Sequence, residues 1–115
     1  MSRSENVWIV DDDRSIRWVL EKALQQEGMA TQSFDSADGV LARLARQQPD
    51  VIISDIRMPG MDGLHLTAKI KNDPLLKHIP VVLFSSLITP DNIKKCQAVG
   101  ADAQMKKSDG DEMIR

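Results

Sequence analysis

Three carboxylates, Asp11, Asp12 and Asp13, stand directly after the apolar run Val7, Trp8, Ile9, Val10. Two like charges ~4 Å apart repel by about 1 kcal/mol in water and about 4 kcal/mol near a protein surface. Adjacent acids at a strand end therefore call for a divalent cation, a nearby lysine or the full solvation of a loop. Other chemistry-bearing residues follow apolar runs in the same way: Ser54 and Asp55 after VII, Ser85 and Ser86 after VVLF, and Lys106 and Lys107 after ADAQM. Asp11, Asp12 and Asp55 offer oxygen ligands to a small hard cation, and magnesium typically takes few protein carboxylates while keeping waters and a phosphate oxygen. A carboxylate beside such a metal can attack a phosphoryl donor to give an acyl phosphate. The metal, one lysine and a serine hydroxyl would then meet the charge on the phosphoryl oxygens.

The elements that must bring these residues together are short. Residues 6–10, about 30–34, 51–53 and 81–84 read as β-branched strands, and 101–105 as a weaker fifth. Between them lie helical patterns. Ile16, Val19, Leu20, Ala23 and Leu24 keep the 3.6-residue period over 15–27, with Gly28 where a left-handed cap is expected. Val40, Leu41, Leu44 and Ala45 form a second stripe ended by Pro49, and 64–71 a third that ends before Asn72, Asp73 and Pro74. Thr89 can cap a fourth helix, with Pro90 at its first position and Gly100 beyond its end. Residues 109–115 leave only a stub. The order predicts an α/β fold, a doubly wound parallel five-stranded sheet with a truncated last helix, since VII and VVLF are apolar on both faces. Ligands in such sheets gather at the carboxyl ends of the strands near the switch in strand order, the rim to which these acids, hydroxyls and lysines belong.

Bulk properties narrow the field. A chain of 115 residues, 42% hydrophobic, is expected to form a single domain, with no separate output domain in these residues. Fifteen basic residues against 17 acidic ones give a net charge of −2, and the bases are scattered, which argues against a nucleic-acid surface. One cysteine, Cys96, allows neither a disulfide framework nor a zinc set. No leader segment and no apolar run near the roughly 20 residues of a membrane span is seen, so a cytoplasmic location is expected. Asp13 is expected to help start the first helix, where negative charge is favoured. Asp62 reads as a turn residue beside Pro59, Gly60 and Gly63, Lys106 as a solvated charge, and His65 and His78 as surface residues. Trp8 and Trp18 read as packing residues, and Cys96 as a small buried or half-buried side chain.

Taken together, IVDDDRS, SDIRMPGMDG, the hydroxyl pair after VVLF and the lysine seven residues after the glycine of VGADAQMKK resemble the receiver domain of two-component response regulators, a flavodoxin-like, CheY-like fold. The resemblance covers nearly the whole chain. It implies Asp55 as phospho-acceptor, Asp11 and Asp12 as the acid pair holding Mg2+, and Arg57 as a ligand through its backbone carbonyl. It further implies Ser85 as the switch hydroxyl, Lys107 as the phosphoryl-binding lysine, and a histidine kinase as partner; Ser86 reads either as a second phosphoryl-binding hydroxyl or as a small residue allowing access to the acceptor. The first half is similar to NtrC receivers, whereas from about residue 69 the chain is more similar to the receiver of CheV. A divergent natural member and a recombined, chimeric chain both fit.

Three departures bear on the output. Gln104 stands where the family usually has an aromatic residue, so a rotameric switch coupled to Ser85 is in doubt. Ser108 replaces the usual proline after the lysine, and the shortened final helix could favour a homodimer. Two other classes of function stay open. One is a non-signalling scaffold or assembly domain that keeps the site without the output surface. The other is a haloacid-dehalogenase-type phosphatase, which DDDRS resembles superficially and whose nucleophile would be Asp11 rather than Asp55.

Overall fold

Each helix start carries a side chain suited to capping. In a computed structural model of the chain, residues 5–57, 61–85 and 89–106 are described, with backbone alone for 105 and 106. Pro59, Gly60, Ser86, Lys107, Ser108 and the expected last helix over 109–115 lie outside the described residues. Asp13 caps α1 (Arg14–Gln26), accepting from the amides of Ser15 at 2.8 Å and Ile16 at 3.4 Å. Ser36 caps α2 (Ala37–Leu44), Asp62 caps α3 (Gly63–Lys71), and Thr89 caps α4 (Pro90–Ala98) with Pro90 in its first turn. Such caps contribute about 1 kcal/mol each. Two helices close on left-handed glycines, Gly28 at φ +84° and Gly100 at φ +88°. The amides of Gly28 and Met29 return to Gln25 and Leu24, and those of Gly100 and Ala101 to Gln97 and Cys96.

The strands β1 (Asn6–Val10), β2 (Ala30–Phe34), β3 (Val51–Asp55), β4 (Val81–Ser85) and β5 (Ala103–Lys106) form one parallel sheet in the order β2-β1-β3-β4-β5. Since β1 lies between β2 and β3, successive crossovers leave it in opposite directions and carry helices to opposite faces. On one face Trp8, Val10, Ile52, Val81 and Leu83 pack against Val40 and Leu44 of α2, Leu66 and Ile70 of α3, and Cys96 of α4. On the other, Val7, Ile9 and Phe84 meet Leu20, Ile16 and Leu24 of α1. The doubly wound expectation holds, and burial pushes the Cys96 thiol pKa up.

Details differ from the sequence reading. β3 and β4 run on to Asp55 and Ser85, because Asp55 pairs with Phe84 and the ladder carries the polar residues with it. β5 starts later than expected, since the Ala101 amide is used in closing α4. Trp18 does not pack: it is 60% exposed, with Lys22 Nζ 5.7 Å from its ring centroid. Ile16, Leu20 and Leu24 already form the stripe facing the sheet, and a residue two positions from Ile16 points about 200° away from it. Trp8, by contrast, is fully buried beside Phe34, with ring centroids 5.0 Å apart.

At the amino end of the strands, Lys71 closes α3 onto the sheet. Its Nζ donates to the carbonyls of Lys77 at 3.2 Å and Ile79 at 2.7 Å and to Asp102 Oδ2 at 2.7 Å, and that carboxylate also accepts from the Val81 amide at 2.8 Å. No helix among the described residues is long and apolar enough to cross a membrane.

Candidate functional site

The carboxyl ends of β1 and β3 flank the switch in strand order, and the acids meet there. Asp11 follows β1 directly, and its amide donates to the Phe34 carbonyl at 3.1 Å, so the chain leaves the sheet still tied to β2. Its Oδ1 accepts from the Asp13 amide at 2.8 Å, and its carbonyl oxygen accepts from Arg17 Nη1 at 2.6 Å. Asp55 closes β3, and its Oδ1 accepts from the Arg57 amide at 3.3 Å. One carboxylate oxygen from each of Asp11, Asp12 and Asp55 can be chosen so that all lie within 4.8 Å of one another. Asp11 and Asp55 are buried and Asp12 is exposed. Two recessed carboxylates and one at the mouth make a half-open oxygen site, which fits a cation that keeps waters or a phosphate oxygen on its outer side.

The backbone of Asp55 is held as closely as its side chain. Ser54 Oγ donates to the Asp55 carbonyl at 3.0 Å, and the Gly63 amide donates to the Ile56 carbonyl at 2.9 Å. A Cβ at Gly63 would run into the Asp55 carbonyl oxygen, so only glycine lets α3 begin against the strand at this point. Thr67 Oγ1 in turn donates to the Gly63 carbonyl at 2.8 Å. Asp62 is a cap rather than a member of the acid cluster. Partial burial pushes its pKa up, but bonds from the His65 amide and ring and the Leu64 amide hold it below the usual 3.8 overall. His65 and His78 are exposed, as expected.

Ser85 ends β4, buried, and pairs in register with Lys106. Lys107, the lysine singled out from the sequence, and Ser86 fall outside the described residues. Gln104 pairs with Leu83 and is half-buried, and its Oε1 has no hydrogen-bond partner among the described residues. Sequence reasoning did not single out Arg17 or Thr67. A basic residue one turn into the helix after an acid cluster is the signal that could have marked Arg17.

A parallel sheet in this order, with an acid triad at the β1/β3 switch, defines a class, and the sequence matches it: residues 7–115 match the response regulator receiver domain, and the chain belongs to that family. It is a receiver domain of two-component response regulators. Among particular relatives, it is 46% identical over 110 residues to the DNA-binding transcriptional regulator NtrC of Proteus hauseri, covering 95% of this chain and 23% of that protein. It is 32% identical over 107 residues to the sensory/regulatory protein RpfC of Xanthomonas campestris, covering 91% of this chain and 15% of that one. The chain thus spans less than a quarter of the length of these relatives. A response regulator structure from Chloroflexus aurantiacus superposes with a TM-score of 0.91 at 25% identity, covering 97% of this chain and 93% of the other. The chemotaxis response regulator CheY4 of Vibrio cholerae gives 0.86 at 28% identity, covering 91% and 88%. Receiver domains bind Mg2+ at an acidic cluster of the kind Asp11, Asp12 and Asp55 form here.

Proposed function

We propose that Asp55 accepts a phosphoryl group from the phosphohistidine of a histidine kinase. The convergence of Asp11, Asp12 and Asp55 carboxylates within 4.8 Å at the switch in strand order is the observation that carries this reading. Mg2+, held by those three side chains and the backbone carbonyl of Arg57, would supply charge neutralisation for the phosphoryl oxygens. A carboxylate oxygen of Asp55 attacks phosphorus in line, the new P–O bond forms as the bond to the donor imidazole breaks, and the leaving nitrogen keeps the electron pair. Ser85 and Ser86 offer hydroxyl donors and Lys107 a cation to the transferred group. The domain is thus a phospho-acceptor that assists its own transfer and dephosphorylation rather than an enzyme acting on other substrates.

Phosphorylation then biases a pre-existing equilibrium. With Gln104 in place of an aromatic ring, that step runs without a rotameric aromatic switch. A homodimer through the region after β5 is part of the same proposal. DNA binding, by which NtrC is described, is assigned to a partner domain and not to these residues, whose net charge is −2. Descent of the two halves from different branches rests on the sequence resemblance alone, and the NtrC identity running over 110 residues weighs against it. A passive scaffold is the competing outcome.

The test is Mg2+-dependent incubation with acetyl phosphate or beryllium fluoride, comparing the chain with Asp55→Asn by intact mass and amide spectra, with sizing alongside. Modification that vanishes in Asp55→Asn, with shifts reaching Ser85 and α4, is expected. A folded chain that takes neither the phosphoryl group nor its mimic would favour the scaffold, and phosphorylation that survives in Asp55→Asn would favour a nucleophile at Asp11.

A further inference from the structure

We infer that Arg17 is a positioning residue for the acid cluster, setting through the Asp11 carbonyl the direction in which Asp12 presents its carboxylate. Hydrogen bonds among the described residues fix the loop 11–13 on both sides of Asp12. The Asp11 amide is on Phe34, its Oδ1 on the Asp13 amide, its carbonyl on Arg17 Nη1, and the Asp13 carboxylate on the first amides of α1. Asp12 sits in the middle, exposed, and its carboxylate makes no hydrogen bond among the described residues. Its direction is therefore set by the peptide unit joining it to Asp11, and the carbonyl of that unit is the atom Arg17 holds at 2.6 Å.

Two features argue for geometry over charge. Arg17 makes no ion pair among the described residues, and its contact is with a carbonyl oxygen rather than with a carboxylate of the triad. Its charge alone would oppose a divalent cation nearby, so a purely electrostatic role predicts tighter metal binding on neutralisation. Loss of the tether predicts the opposite, because the freed peptide can rotate and carry Asp12 away. Arg17 is half-buried and comes from α1, itself packed on the sheet through Leu20, so the donor is rigidly mounted.

This inference rests on the proposal that the cluster holds Mg2+, and the experiment separates the two. Mg2+ is titrated into metal-free wild type, Arg17→Gln and Arg17→Lys, following the amide resonances of residues 11–13 and 55, with thermal unfolding in EDTA as a folding control. Arg17→Gln is expected to weaken Mg2+ binding about tenfold, the range typical of groups that orient metal ligands. Arg17→Lys, which can still reach the carbonyl, is expected to lose less. In an Asp12→Asn background, Arg17→Gln should cause no further loss, because the ligand it orients is gone. Equal or tighter binding by Arg17→Gln, or an undiminished loss in the Asp12→Asn background, overturns the positioning role while leaving the Mg2+ site intact. Absence of Mg2+ binding by the folded wild type overturns both. Should Arg17→Gln fail to fold, the Lys variant and its cycle with Asp12→Asn carry the same decision.

Discussion

The two ends of the sheet handle charge in opposite ways. At the amino end a cation and an anion meet, and Lys71 and Asp102 join α3, β4 and the approach to β5 in a single knot. At the carboxyl end three anions converge around the β1/β3 switch. The first end lowers the energy of the fold. The second gathers like charges whose mutual repulsion a divalent cation would relieve, which is the expected signature of a binding site in an otherwise consistent structure. Backbone devices make the second end tolerable: Gly63, Ser54 and the Arg17 tether hold the acids' main chain while their charges oppose one another.

The strongest way to break this contrast is Gly63→Ala. A methyl group forced against the Asp55 carbonyl should cost about 3 kcal/mol in denaturant unfolding, at the upper end of overpacking penalties, and should slow phosphorylation beyond the stability loss. A cost near zero would show that the acceptor strand is not pinned by α3. Next comes Lys71→Met, which removes one donor from each of three acceptors and should cost about 2 kcal/mol. Partial burial pushes the Asp102 pKa up, but the Lys71 hydrogen bond, the Val81 amide and the Lys71 charge hold it below its usual 3.8. The folded-state value is thus the lower one, so this contribution is present above pH ~4 and lost as pH falls through the folded pKa. Acid unfolding of wild type and Lys71→Met should therefore draw together below pH 3.8. Smallest, and opposite in sign, is Asp12→Asn in EDTA. Removing one of three like charges should raise stability by about 1 kcal/mol, while the stabilisation that Mg2+ gives wild type should shrink. A loss of stability in EDTA would erase the distinction between the two ends.

Local signals were legible in the sequence and distant pairings were not. Asp13, Thr89, Gly28 and Gly100 announce helix ends within a few residues, and the structure uses each of them so. The acids were legible because strand ends in a parallel sheet share a rim, an argument that needs only element order. Lys71 and Asp102 are 31 residues apart and look like two solvated charges until the loop after α3 folds back. Arg17 left only its place one turn beyond the acid cluster as a signal, because its partner is a backbone carbonyl, which no residue type reveals. Trp18 was misread as a packing residue, although the α1 stripe was already complete without it.

That outward-facing indole gives the chain an optical property. Trp8 is sealed in the core while Trp18 stands in water one turn beyond Asp13, and the chain has no tyrosine. Ultraviolet emission is therefore a sum of a blue component that reports global unfolding and a red, quenchable component that reports the outer face of α1. With Trp18→Phe to subtract the second, one cuvette can follow the core and the helix surface as separate colours.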